Sequence, residues 1–309
     1  MNLAHFHIMF FAVTMGLGGF AMAYRELIKI AFFSDFYFIL LRFFVSFLFC
    51  LITLLYIIKI FKHFDEVKKE FSNTIKINFF STFPISLLIL ANLWQDFVFL
   101  HDTLFYIALV LQTYLSFYII SFWINKNLEI EHSSPAWFIP VVGNLIIIVG
   151  ARTVEPWLWF YFSLAMFFWL VLFCIIFYRI LFHSQLPNKF MPTLFIMIAP
   201  PSVGFLDYLK LTNSFDVFAI MLLNLALFFS ILLVFMYKNF LKLNFALSWW
   251  AFTFPSAAMC IACFKAYELS ASSFFMNFAL FIFLALVLMI VFISYHTIKN
   301  ILNKSIFSD

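Results

Sequence analysis

Long apolar blocks alternate along this chain with short polar connections. A helix that crosses a bilayer needs about 20 mostly apolar residues. Stretches of that kind lie near 6–24, 36–60, 78–95, 103–124, 135–151, 157–178, 191–208, 215–237, 246–264 and 273–296. The sixth, WLWFYFSLAMFFWLVLFCIIFY, and the tenth are unbroken, whereas prolines and small polar residues interrupt the third, fifth and seventh. The pattern predicts an all-α integral membrane protein of ten transmembrane helices, in one domain that takes up the whole chain, 1–309.

Helix-breaking residues are distributed unevenly among these segments. All six glycines (Gly16, Gly18, Gly19, Gly143, Gly150, Gly204) fall in odd-numbered segments, as do Pro84, Pro140, Pro200, Pro201 and Pro255. Pro135, Pro156 and Pro192 stand at segment starts, where a missing N–H is harmless, and Pro187 lies in a loop. In hydrocarbon a breaker leaves backbone groups unsatisfied unless the helix packs on others or lines a watery cavity. Odd segments are therefore expected to form an inner ring, and even segments an outer, lipid-facing shell. The interior prolines recur after 56 residues (Pro84 to Pro140), 61 (Pro140 to Pro201) and 54 (Pro201 to Pro255). Each repeat shares a kernel of a breaker followed by small residues: TMGLGG, FPIS, IPVVGN, APPSVG and FPSAA. Self-similarity at a steady period marks a repeat architecture. Here it implies five helical hairpins in a quasi-fivefold arrangement around a central pore, although small residues also suit close helix packing alone.

Composition narrows the class. Of 309 residues, 66% are hydrophobic and only 10% charged, against about 25% charged in a soluble domain. Basic residues then suggest orientation. With both termini cytoplasmic, the cytoplasmic connections and tail hold Lys59, Lys62, Lys68, Lys69, Lys76, Lys126, Arg179, Lys189, Lys238, Lys242, Lys299 and Lys304, twelve in all. The external side holds five: Arg25, Lys29, Arg152, Lys210 and Lys265, which read as a solvated loop face or a mild attractor for anions. That asymmetry follows the positive-inside rule and favours an even number of spans. The net charge of +4 is too dilute to imply nucleic-acid binding.

Candidate chemistry is sparse. Arg42 apart, no ionisable residue is expected centrally in a span, and Asp207 is expected at the external end of the seventh. This favours a passive conduit over a proton-coupled carrier, which usually keeps a buried carboxylate or histidine. A pore without acidic rings conducts cations poorly. Bent helices and helix N-termini offer N–H groups to anions. Gly16, Pro84, Gly143, Asn144, Pro201, Ser202 and Thr253 are the pore-lining candidates at the bends, with Thr14 and Ser86 as further polar groups. Phe254, beside Pro255 in WWAFTFP, is either a packed core aromatic or a ring that plugs the pore. The seven histidines fall at segment ends or in loops, Cys260 and Cys263 in an apolar run, and no catalytic motif occurs. No enzyme activity, metal, haem or other cofactor is expected.

In these stretches the chain resembles the tellurite-resistance/dicarboxylate transporter family, which includes bacterial TehA proteins, fungal malate permeases and plant slow-type anion channels. The matching residues are MGLGGFAMAY (15–24), NFFSTFP (78–84), PAWFIPVVGN (135–144), IAPPS (198–202) and WWAFTFP (249–255), one stretch per odd segment. The resemblance implies ten helices in five hairpins around a pore, as a homotrimer in a bacterial inner (plasma) membrane. It implies that Phe254 is the pore gate and that Phe11 is a second pore aromatic. It also implies an anion channel or channel-like permease for small inorganic or carboxylate anions. The alternative is a coupled carrier for C4-dicarboxylates (malate) or for tellurite export.

Overall fold

A computed structural model describes residues 3–31 and 33–307. Among the described residues the chain is helical throughout, with no strand. In chain order the first helices are α1 (Phe11–Ala31), α2 (Asp35–Lys62), α3 (Phe64–Ser72), α4 (Thr82–Leu93), α5 (Val98–Asn125), α6 (Phe138–Val142) and α7 (Leu145–Gly150). They are followed by α8 (Leu158–Phe182), α9 (Ala199–Thr212), α10 (Val217–Phe235), α11 (Tyr237–Leu241), α12 (Thr253–Ser270) and α13 (Ser273–Leu302). Nine helical stretches among the described residues are long and apolar enough to cross a membrane. The segment expected at 135–151 is not one of them. It is a 3-10 turn, α6 and α7, broken at Gly143–Asn144.

Burial separates the nine into two classes. In their most apolar stretches the helices that include α1, α4, α9 and α12 are 67 to 83% buried, whereas α2, α5, α8, α10 and α13 are only 17 to 44% buried. The second class buries a single stripe. In α2 it runs Phe38, Arg42, Val45, Phe49, Ile52, Tyr56 and Lys59, at alternating steps of four and three. The opposite face is just as apolar, with Phe36, Phe43, Phe47 and Phe61 all exposed. A soluble helix would place charges there. Such a face suits an apolar surrounding such as lipid.

The buried helices enclose an axis. Contacts run from α1 to α4, α4 to α7, α7 to α9, α9 to α12 and from α12 back to α1. Each of these segments begins as a 3-10 helix, at Ile8–Phe10, Lys76–Ser81, Pro135–Trp137, Asn188–Ile198 and Leu247–Phe252. The five 3-10 stretches also touch in a closed circuit, so the segments start at the same end. This corrects the reading of the prolines as breakers deep inside helices. Pro84, Pro140, Pro201 and Pro255 are each the third residue of the α-helical part, two after Thr82, Phe138, Ala199 and Thr253. In a first turn the absent N–H removes little, so these prolines mark where 3-10 gives way to α.

Helix ends differ from the expected segments as well. α1 continues to Ala31, which puts Arg25, Glu26 and Lys29 on a helix rather than in a loop. The start of α10 is capped by Asp216, which accepts from the N–H groups of Phe218 and Ala219. α9 and α12 end at Asn213 and Ala271, both left-handed, and the chain returns at once into α10 and α13.

A buried ion pair ties the N-terminal segment to this frame. Glu70 on α3 accepts from Lys59 Nζ at 2.6 Å, the Ile8 N–H at 2.8 Å and the Tyr56 hydroxyl at 3.1 Å. Lys59 also donates to the Phe6 carbonyl at 2.9 Å. Burial pushes the Glu70 carboxyl up, but hydrogen bonds from His7, Lys59 and the Ile8 N–H outweigh it and hold the group at about 2, below the ordinary 4.5. The folded value lies below the unfolded one, so this contribution is complete above about pH 4.5 and is lost as pH falls towards 2. Thermal unfolding of the detergent-solubilised protein is expected to show a midpoint that drops across this window. Glu70→Gln should flatten that drop, and an equally steep fall in the variant would contradict the assignment. Removing one partner alone should destabilise by about 3 kcal/mol, with much of it recovered in the Lys59→Met/Glu70→Met double variant.

Candidate functional site

The ring closes around a cavity of about 70 Å³, and all five inner segments contribute to its wall. Met15, Ile85, Ile146, Val203 and Phe254 represent them in turn. The wall is almost wholly apolar. Its hydroxyls, on Thr82 and Ser248, donate to the backbone carbonyls of Phe79 and Lys189.

Phe254 and Gly143 are the two predicted site residues in this wall. Phe254 is half-buried and lies against Gly19, where an added Cβ would come within 3.1 Å of Phe254 Cδ2. The absence of a side chain at Gly19 is what leaves room for the ring. Phe11 points elsewhere: it is 1% exposed and sits among Phe49, Phe83 and Tyr56. Gly16 is a close helix contact, since a Cβ there would fall 2.0 Å from Thr253 Oγ1. Pro84 and Pro201 are buried in first helical turns behind the wall.

The polar candidates are engaged with backbone. Thr14 donates to the Phe11 carbonyl at 2.7 Å, and its hydroxyl oxygen lies 2.8 Å from that of Ser86. Thr253 donates to the Trp250 carbonyl at 2.7 Å and Ser202 to that of Ile198 at 2.8 Å. Asn144 donates to Ser116 at 2.9 Å and to the Val141 carbonyl at 2.8 Å. At the break between α6 and α7 the Pro140 carbonyl accepts from Gln112 at 2.9 Å and Ser116 at 2.8 Å, both on α5. These side chains satisfy the bent backbone and hold the wall in shape.

The two ends of the cavity differ. At the end where the segments begin, a wider space of about 440 Å³ shares Met9, Phe79, Leu247 and Ser248 with the cavity wall. His7, Glu70, Lys76 and Lys189 also line it. At the far end, basic side chains sit on helix C-termini. Arg25 donates to the Asn92 carbonyl at 3.0 Å and to its side-chain oxygen at 2.6 Å, and Asn92 donates to the Val149 carbonyl at 3.0 Å. Lys210 donates to the carbonyls of Ile148 at 2.8 Å, Val149 at 3.2 Å and Ala151. His101 meets the Gly150 carbonyl at 2.9 Å. Arg25 and Lys210 are therefore structural caps on α4 and α7 and not a solvated loop face. A second recess of about 410 Å³ beside them is lined by Lys29, Lys210 and Lys265, with Glu26.

Sequence reasoning missed two features here. One is the cap network, whose partners lie 49 to 67 residues apart and carry no local signal. The other is Asp207, expected at the external end of the seventh segment and found 0% exposed on α9, five residues before its end. Among the described residues, neither of its carboxylate oxygens has a hydrogen-bond partner. The observation that no buried carboxylate lies within the spans is thereby corrected. α9 runs four residues past the expected end and carries Asp207 inward.

Residues 5–298 match the family model described as voltage-dependent anion channel. The uncharacterized transporter MJ0762 of Methanocaldococcus jannaschii is 26% identical over 290 residues, which cover 82% of each chain. The S-type anion channel SLAH2 of Arabidopsis thaliana is 28% identical over 221 residues, 69% of this chain and 42% of that one. The guard cell S-type anion channel SLAC1 of the same plant is 25% identical over 283 residues, 86% of this chain and 50% of that one. The chain thus spans half or less of the length of these two plant relatives. With the match running through all of the inner segments and onto the last helix, the chain belongs to the SLAC1 voltage-dependent anion channel family.

Proposed function

We propose that this protein is an anion channel or channel-like permease whose pathway follows the axis of the ring and is closed by the Phe254 side chain. The observation that carries the reading is the convergence of all five inner segments on one apolar cavity with Phe254 in its wall. Electrostatics favour anions. The inner segments share one direction, so their positive ends face the 440 Å³ space. Their negative ends are covered at α4 and α7 by Arg25 and Lys210. An apolar wall without fixed ligands binds an ion weakly, which suits rapid passage over tight selection.

The same reading takes the broken segment 135–150 as a tenth crossing, giving five hairpins in quasi-fivefold order around the axis. The pairing of α1 with α2, α4 with α5, α6 and α7 with α8, α9 with α10, and α12 with α13 supports it. By likeness to the tellurite-resistance/dicarboxylate transporters, it further takes the protein as a homotrimer in a bacterial inner membrane with both termini cytoplasmic. Small inorganic anions and carboxylates are the proposed cargo. A second reading, a coupled carrier for malate-like dicarboxylates or for tellurite export, is favoured by the buried carboxyl of Asp207. Reconstituted protein separates the two. A conductive chloride current without obligatory proton movement supports a channel, whereas flux in fixed ratio to protons supports the carrier.

Two outcomes are expected in planar bilayers. Phe254→Ala should raise basal chloride current by about tenfold or more, the factor that removal of about 1.4 kcal/mol from a barrier gives. Unchanged current in a folded variant would contradict the gate. In that open background, Lys210→Met should move the reversal potential in a potassium chloride gradient towards the cation value, because an uncovered helix C-terminus repels anions. No shift would separate Lys210 from the ion path.

A further inference from the structure

We propose that Asp207 is a proton-binding site whose occupancy sets the charge of the far half of the anion path. Asp207 lies on α9 between Val203, which lines the cavity four residues before it, and Lys210, which lines the far recess three residues after it. Those spacings place it on the same face of the helix as both. It has no exposed surface, and among the described residues neither carboxylate oxygen accepts a hydrogen bond. The basic group on the same stretch, Lys210, is held by the three carbonyls at the end of α7 and makes no hydrogen bond to Asp207.

An ionised carboxylate in that place lacks both water and a donor, which is the arrangement that penalises a buried charge most. The other groups that pack around α9 do little to relieve it. α7 and α10 carry no titratable side chain, and α8 has Tyr161, Cys174, Tyr178 and Arg179, with the arginine bound to the Ser133 carbonyl. The 3-10 stretch before α9 contributes Lys189, at the opposite end of the ring. α12 contributes Cys260, Cys263, Tyr267 and the Lys265–Glu268 pair, closed at 2.6 Å. α9 itself adds Tyr208, which donates to Asp216.

A proton that binds a carboxylate oxygen of Asp207 removes one negative charge and forms no other bond. With Asp207 ionised, its charge offsets that of Lys210. With Asp207 protonated, Lys210 keeps its full charge, helped by Arg25, while Glu26 in the same recess is paired with Lys29 at 2.7 Å, and the far half of the path becomes attractive to anions. Acid should therefore promote anion passage. The inference rests on the reading that the cavity carries anions, and it deepens that reading by assigning a second ligand, the proton.

The test uses the full chain in liposomes with Phe254→Ala in place, so that the gate does not limit flux, and the same pH on both faces. Chloride flux should rise about tenfold from an alkaline to an acidic pH, whereas adding Asp207→Asn should hold flux near its acid value at both. Asp207→Glu, which keeps a carboxyl, should retain the pH dependence. An Asp207→Asn protein that responds to pH as its parent does would overturn the proposal. Absence of chloride flux in the Phe254→Ala protein at either pH would count against anion conduction itself. The proton site is then read by infrared difference spectroscopy of the otherwise unaltered protein. A carboxylic-acid band that appears in acid and is lost in Asp207→Asn supports the site, and identical spectra overturn it. Asp207→Ser serves both measurements if the Asn variant does not fold.

Discussion

Within hydrocarbon every backbone amide and carbonyl must find its partner inside the protein, and the inner ring of this molecule depends on how that demand is met. Continuous helices would meet it without help. The inner segments instead change from 3-10 to α helix part-way along, and one of them breaks outright at Gly143–Asn144. Each irregularity exposes carbonyls that something else must serve. At Pro140 the donors come from Gln112 and Ser116 on the surrounding helix α5. At the C-termini of α4 and α7 they come from Arg25, Lys210 and His101. The outer shell and the basic residues thus form one supporting system for a wall that could not stand in lipid alone.

That support has a functional consequence. Because side-chain hydroxyls and amides near the bends are occupied by backbone, few polar groups remain to face the axis, and the cavity is apolar and narrow. On the proposed reading, selectivity in such a path would come from the field of the aligned helices and their caps, with no dedicated ligand cage. The same caps that complete α4 and α7 carry the positive charge that, on the proposed reading, an anion would meet at the far end. The proposed reading thus ties stability and ion preference to the same two side chains.

Much of this was legible in the sequence, and for physical reasons. Lipid imposes length and apolarity on the outer helices, so α2, α8 and α13 stand out as unbroken runs. Glycine and proline are excluded from such helices, and their confinement to alternate segments separated the buried class from the exposed one. What the proline spacing could not convey was their place in the first α turn, because the 3-10 lead before it has no distinctive composition. Within the site, Phe254 was legible through its neighbour Pro255, and Gly143 through its kernel. Asn144, Ser202 and Thr253 carried the same local signal and Phe11 came from the family resemblance, yet rotation about the helix axis turned them towards neighbouring helices. Lys210 was hidden by a boundary set four residues short, and nothing local to Asp207 signalled its burial.

The central claim is that anions cross along the axis of the ring and not along its lipid-facing grooves. Its most direct test is chemical modification in the open Phe254→Ala background, with a cysteine at Val203 in the cavity wall and, as control, one at Phe281 on the exposed face of α13. The native Cys50 and Cys174 are exposed on outer helices, so the parent protein serves as the blank. An anionic methanethiosulfonate should abolish most of the chloride current of the Val203→Cys protein and leave the Phe281→Cys protein and the parent unaffected. Full current after complete modification at Val203 would show that anions take another route and would contradict the account.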